Sequence, residues 1–129
     1  DGLDADFSNL EFKNININKA NNDCIDFSFG NYRINEAKVK NCGDKSVSVG
    51  EKSNVNINLI DVSNSKNGVV SKDSSDVFLD KGFFEKVDIC LSAYNKKQEF
   101  NGGRIKYKDV NCEPSMFFIE KGSQIIEQS

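Results

Sequence analysis

"GDKSVSVGEKS", residues 43–53, has two glycines and two Lys-Ser pairs, which is nearly the raw material of a phosphate-binding loop. Such a loop needs Gly-Lys-Ser contiguous after a four-residue arch, opening a helix whose N-terminal amides meet phosphate. Here Glu51 separates Gly50 from Lys52, and six residues separate the two glycines. Alternation of apolar side chains runs straight through Val47 and Val49, and a period of two means strand, with one face turned inward. The stretch is therefore not a nucleotide site. Its glycines fall at the corners of something that repeats.

Working outward, the same pattern recurs about every 22 residues. "DGLDADF" at 1, "DCIDFSF" at 23, "KSVSVGE" at 45 and "NGVVSKD" at 67 superimpose, and "DICLSAY" at 88 follows one residue early. The inward pairs are Leu3/Ala5, Ile25/Phe27, Val47/Val49, Val69/Ser71 and Cys90/Ser92. A second ladder runs Phe12, Ile34, Ile57, Leu79, Ile105, a third Ile17, Val39, Val62, Phe84, Val110, and a fourth Ala20, Cys42, Ser65, Val87. Helices do not sustain such ladders between Asn, Ser and Gly breaks. The pattern predicts a right-handed single-stranded parallel β-helix, all-β, with about three short strands per coil and coils stacked about 4.8 Å apart. Five full coils are visible, and "MFFIEKGSQII" (116–126) echoes the opening stretch as a partial sixth. Asn and Asp gather in "NKANND", "KNCGD" and "SNSKN", where the chain must turn, because they tolerate left-handed backbone.

The chain is long enough, at 129 residues, for one domain spanning 1–129. It opens on "DGLDADFSN", which reads as the middle of something and predicts a segment of a longer protein with flanking domains. A net charge of −3 argues against a nucleic-acid partner, which needs a concentrated basic face. No apolar run is long enough to insert in a membrane. Cys24, Cys42, Cys90 and Cys112 are 18, 48 and 22 apart without a CxxC pair, which speaks against zinc. Buried thiols are the preferred reading of the four, with disulfides as the alternative. No motif asks for a cofactor.

With the register fixed, four stretches carry a resemblance: "DGLD" (1–4), "NDCID" (22–26), "DKSVSVG" (44–50) and "NGVVSK" (67–72). They resemble the pectin-lyase-like β-helix superfamily, in particular the polygalacturonases, whose catalytic groups come from successive coils in motifs of the kind NTDG, DDC, GHG and RIK. The resemblance implies Asp1 and Asp23 as motif aspartates and Lys72 as the RIK lysine. It also departs: Asn22 replaces the first aspartate of the pair, Lys45 the histidine and Val70 the arginine, while Arg104 of "GGRIK" lies out of register. Inverting hydrolysis needs one carboxylic acid and one opposed carboxylate, and Lys45 beside Asp23 favours the ionised form, a poor acid.

Three loops following the first strand, "GEKS" (50–53), "KDSSD" (72–76) and "SAYNKKQEFNGG" (92–103), fall on one side of the coil. They gather Glu51, Lys72, Asp73, Tyr94, Lys96, Lys97 and Glu99, the mixture of charge and aromatic ring that suits a sugar. Solvated corners are the plain alternative. Asp4 and Asp26 face outward on adjacent coils, a calcium candidate with hard oxygen ligands, although Ser48 breaks the acidic row. Glu11, Arg33, Asn56, Phe78 and Arg104 form the expected outward row of the second strand. Three functions compete. The preferred one is a non-catalytic β-helix module of a larger secreted or cell-surface protein, bacterial by its likeness to such repeats, that contacts glycans. The second is a fragment of a polysaccharide hydrolase, lyase or epimerase using Asp1, Asp23 and Lys72. The third is a structural spacer or assembly element, favoured by open strand edges.

Overall fold

In the computed structural model, which describes residues 1–113 and 116–129, the chain is an all-β parallel solenoid of about six turns. Its strands are β1 (Leu3–Asp6), β2 (Asn9–Ile17), β3 (Ile25–Ser28), β4 (Asn31–Val49), β5 (Asn54–Lys72), β6 (Asp76–Tyr94), β7 (Arg104–Glu113), β8 (Phe117–Ile119) and β9 (Gln124–Glu127). All of them pair in parallel, each coil lying on the one before. Strands β4, β5 and β6 each run 19 residues through their bends. The three short strands expected per coil are arms of these, separated where pairing lapses, at Asn35 and beyond Cys42 in β4. Hydrogen bonding survives around the bends because each inner rung has a neighbour above and below.

The ladders fill the interior. Ile25, Val47, Val69 and Leu91 stack with no exposed surface, and Ile34, Ile57 and Leu79 stack with at most 1%. Each fully buried side chain contributes about 1.5–3 kcal/mol, which a single coil cannot realise alone. The second corner is made by Asn41, Asn64 and Lys86, all with positive φ (55°, 58° and 57°). Asn41 and Asn64 also bond to one another through their amides at 2.7 Å. This is the turn chemistry that the Asn-rich breaks promised.

Beyond Tyr94 the ladders shift. Nine residues lie between Tyr94 and Arg104, where three lie between their partners Lys72 and Asp76, so six extra residues enter here. Leu79 therefore pairs with Tyr107 rather than Ile105, and Phe84 with Cys112 rather than Val110. Lys106, not Arg104, continues the row Glu11, Arg33, Asn56, Phe78. The first-arm pair of the fifth coil is Leu91/Ala93, partners of Val69 and Ser71, rather than Cys90/Ser92. The repeat holds its spacing of 22 there and does not come early.

The cysteines are bonded, which corrects the preference for thiols: Cys24 to Cys42, with Cα atoms 5.4 Å apart, and Cys90 to Cys112, at 6.3 Å. Each bridge joins the start and the end of one coil. One lies toward each end of the stack. Two disulfides place the folded chain in an oxidising environment outside the reducing cytosol.

Candidate functional site

The outward row of the first arms runs Asp4, Asp26, Ser48, Val70, Ser92, Phe118. An outward row on a solenoid is normally wet. Here Ser48, Val70 and Ser92 are only 0%, 1% and 3% exposed. Two edges flank the row. On one edge stand Lys72 and Tyr94, which pair on neighbouring rungs; on the other stand Asp23, Asp44 and Lys45. Lys72 and Tyr94 both feel the charges of Asp23 and Lys45, so the two edges lie within electrostatic reach of one another. Tyr94 also packs edge-on against Phe118, ring centres 6.1 Å apart.

The carboxylates of the second edge work on the backbone. Asp1 Oδ1 accepts from the Asp23 N–H at 3.3 Å, and Asp23 Oδ1 accepts from the Lys45 N–H at 3.1 Å. Each aspartate thus ties the first rung of its coil to the next. Lys45 Nζ is 4.0 Å from Asp23 but only 2.7 Å from Asp44, so its main partner is the neighbour that the sequence reading left out. Burial works against the Lys45 charge, but the Asp44 hydrogen bond and then Asp23 outweigh it and raise its pKa. Burial likewise opposes ionised Asp44, and its bonds to Lys45 and Asn67 prevail and lower its pKa. Lys72 is different. Burial, reinforced by Lys45 and Lys96, lowers its pKa against the pull of Asp26 and Asp23. Burial also raises the Tyr94 hydroxyl.

The other expected sugar contacts belong to the long loop. Asp73 is fully buried and its Oδ1 accepts from the Lys96 and Lys97 N–H groups at 2.7 and 2.8 Å. It organises the loop backbone from within. Glu51 pairs with Lys97 at 3.5 Å. Of the expected set, Lys72 and Tyr94 share the covered row, while Glu51, Asp73, Lys96 and Lys97 build the loop beside it. Asn95 closes that loop by donating to the Lys97, Phe100 and Asn101 carbonyls.

Asp4 and Asp26 are ladder partners, and Asp1 joins them: one carboxylate oxygen from each lies within 4.8 Å of the others. Burial, then Asp23, with Asp4 and Glu51 behind, raises the Asp26 carboxyl, while Lys72 opposes the shift. Lys72 is thus a resident counter-charge for Asp26.

On the opposite flank a groove of about 810 Å³ follows the bend of the second arms, between Glu11, Arg33, Phe78, Asp80 and Lys108. Lys108 Nζ sits 5.7 Å from the centre of the Phe78 ring. Charges of both signs line it, and Glu11 and Arg33 are direct ladder partners, a surface contact of little energetic weight.

No family model, no curated protein and no solved structure matches the chain. The comparisons therefore add no family to the solenoid architecture. Among the described residues no helix is long and apolar enough to cross a membrane.

Proposed function

We propose that this chain is a non-catalytic β-solenoid module of a larger secreted or cell-surface protein, and that it contacts glycan chains. One observation carries the reading: the row from which a polygalacturonase-like coil would present its catalytic groups is closed by the chain's own side chains. Ser48, Val70 and Ser92 are almost wholly buried, so a sugar laid along this row would meet a floor that the chain itself already covers. Asp1 and Asp23 accept backbone N–H groups of the next rung, a duty that opposes their use as a mobile acid and base. An acid and a base flanking a glycosidic bond need room for the bond and for water. What remains at the surface is a half-buried tyrosine with lysines and carboxylates around it, which suits sugar hydroxyls without supplying chemistry. The resemblance to the pectin-lyase-like superfamily supports the substrate class, and the disulfides support the compartment.

The test is calorimetric titration against neutral and uronic-acid oligosaccharides, with Lys72→Ala and Tyr94→Ala in parallel. Heat of binding by the wild type, weakened in either variant, is the expected result. Absence of binding to the whole panel leaves a spacer or assembly element and overturns the glycan reading.

A further inference from the structure

The turn before each second arm is built the same way in four coils. Phe7, Phe29, Lys52 and Ser74 each stand two residues before a paired residue of the next strand, Asn9, Asn31, Asn54 and Asp76. All four have positive φ, at 50°, 46°, 52° and 64°. Their N–H groups donate in turn to the carbonyls of Ser28, Glu51, Asp73 and Asn101. The corner thus demands left-handed backbone, which Gly and Asn adopt cheaply and bulky residues do not. The equivalent place in the last coil is Gly122, with φ 90°, and the second corner uses Asn twice. Phenylalanine at two successive left-handed positions is costly in backbone strain. Phe7 is also costly in exposure, at 73%.

These rings are organised. Phe7 and Phe29 stack face to face, centres 4.6 Å apart and 7° from parallel. Phe100, from the long loop, meets Phe29 edge-on at 6.3 Å, and Lys52 lies 6.0 Å from the Phe100 ring centre. Alongside runs an exposed amide ladder: Asn31 donates to Asn9 at 2.9 Å and Asn54 to Asn31 at 3.3 Å. Each amide has two N–H groups and two acceptor lone pairs, so the ladder leaves a second N–H on every rung. Phe7, Phe29 and the ladder line a groove of about 460 Å³ in which, among the described residues, Lys52 is the one charged lining residue.

We infer that this corner is a binding site for a neutral oligosaccharide lying along the solenoid axis, with a pyranose C–H face on Phe7 and hydroxyls on the Asn9–Asn31–Asn54 ladder. The pairing of aromatic carbon with a row of uncharged donors fits a sugar better than a purely apolar partner, which would strand the amides, or a nucleic acid, which would need more than one cation. Strained residues held in place by their surroundings gather where a protein has work for them. The site is separate from the covered first-arm row, and in naming a glycan it rests on the function proposed above.

The variant Phe7→Asn/Phe29→Asn separates binding from folding, because asparagine suits the left-handed backbone that these positions already have. Amide-resolved NMR titration with cellohexaose, xylohexaose and mannohexaose is the readout. The expected result is shift changes at the Asn9, Asn31 and Asn54 side-chain amides, with affinity falling about tenfold in the variant while its Tm is unchanged or higher. Binding that moves none of the Asn9, Asn31 and Asn54 amides and keeps its affinity in the variant overturns this site and leaves glycan binding at Lys72 and Tyr94 standing. Binding of none of the three, or concentration-dependent self-association that the variant abolishes, overturns the inference outright.

Discussion

Removing either disulfide tests the account of how so polar a chain stays folded. In the loop-closure description, the Cys24–Cys42 bridge closes 18 residues and Cys90–Cys112 closes 22. Both lengths give about 3 kcal/mol of stabilisation through the unfolded chain. Two such bridges supply about 6 kcal/mol, comparable to the whole net stability of a typical domain. Position adds to length. Each bridge pins one coil near an end of the stack, where a rung has fewer neighbours and opening begins. The variants Cys24→Ala/Cys42→Ala and Cys90→Ala/Cys112→Ala should each unfold at clearly lower urea, read by far-UV circular dichroism. The variant lacking both bridges should be largely unfolded at 37 °C. A loss near 3 kcal/mol per bridge, with m-values that rise as the unfolded chain is released, fits the reasoning. A loss below about 1 kcal/mol for both would refute it and would leave the packed ladders as sufficient.

Other consequences are independent of the bridges. Ile57→Ala, in the middle of a fully buried ladder, should cost about 2–5 kcal/mol by the same urea assay, whereas exposed Ile119→Ala should stay within about 0.5 kcal/mol. Gly43→Ala should lower Tm because a Cβ there runs into the Asn21 carbonyl, while Gly50→Ala, whose nearest neighbour would be Lys72 at 3.6 Å, should be tolerated. The raised Asp26 carboxyl means that the folded state holds this proton more tightly than the unfolded chain. Stability therefore falls as pH rises from the ordinary aspartate value of 3.8 through the raised one. Asp26→Asn should accordingly raise Tm at pH 7 and make little difference at about pH 3. Asp73→Ala removes the acceptor of two loop N–H groups and should expose residues 95–101 to limited proteolysis while the coils stay resistant.

The architecture was legible because a solenoid writes its period into the side chains. Val47 needs Ile25 below it and Val69 above it, so one inward residue repeated every 22 positions is both the pattern and the core. The reading slipped where length changed. Six residues inserted after Tyr94 displaced Ile105 and Val110 from ladders that belong to Tyr107 and Cys112. Apolar residues alternate on both sides of the true register there, so the pattern alone did not reject the wrong one. The disulfides were illegible for another reason: spacings of 18 and 22 become meaningful only once the coil brings its start against its end. Asp73 has the composition of a solvated loop residue, and its burial follows from the long loop folding back over it. Phe7 and Phe29 were counted in the repeat, but phenylalanine gives no sign of left-handed backbone. That conformation belongs to the corner, not to the residue.

The central claim is contact with glycan without chemistry on it. The most direct measurement follows binding and new chain ends in the same samples, with neutral and uronic-acid oligosaccharides incubated with the wild-type chain. The account predicts binding with no new ends, even after long incubation at high protein concentration. New ends that disappear with Asp23→Ala would contradict it, and would mean that the buried first-arm row opens to admit substrate.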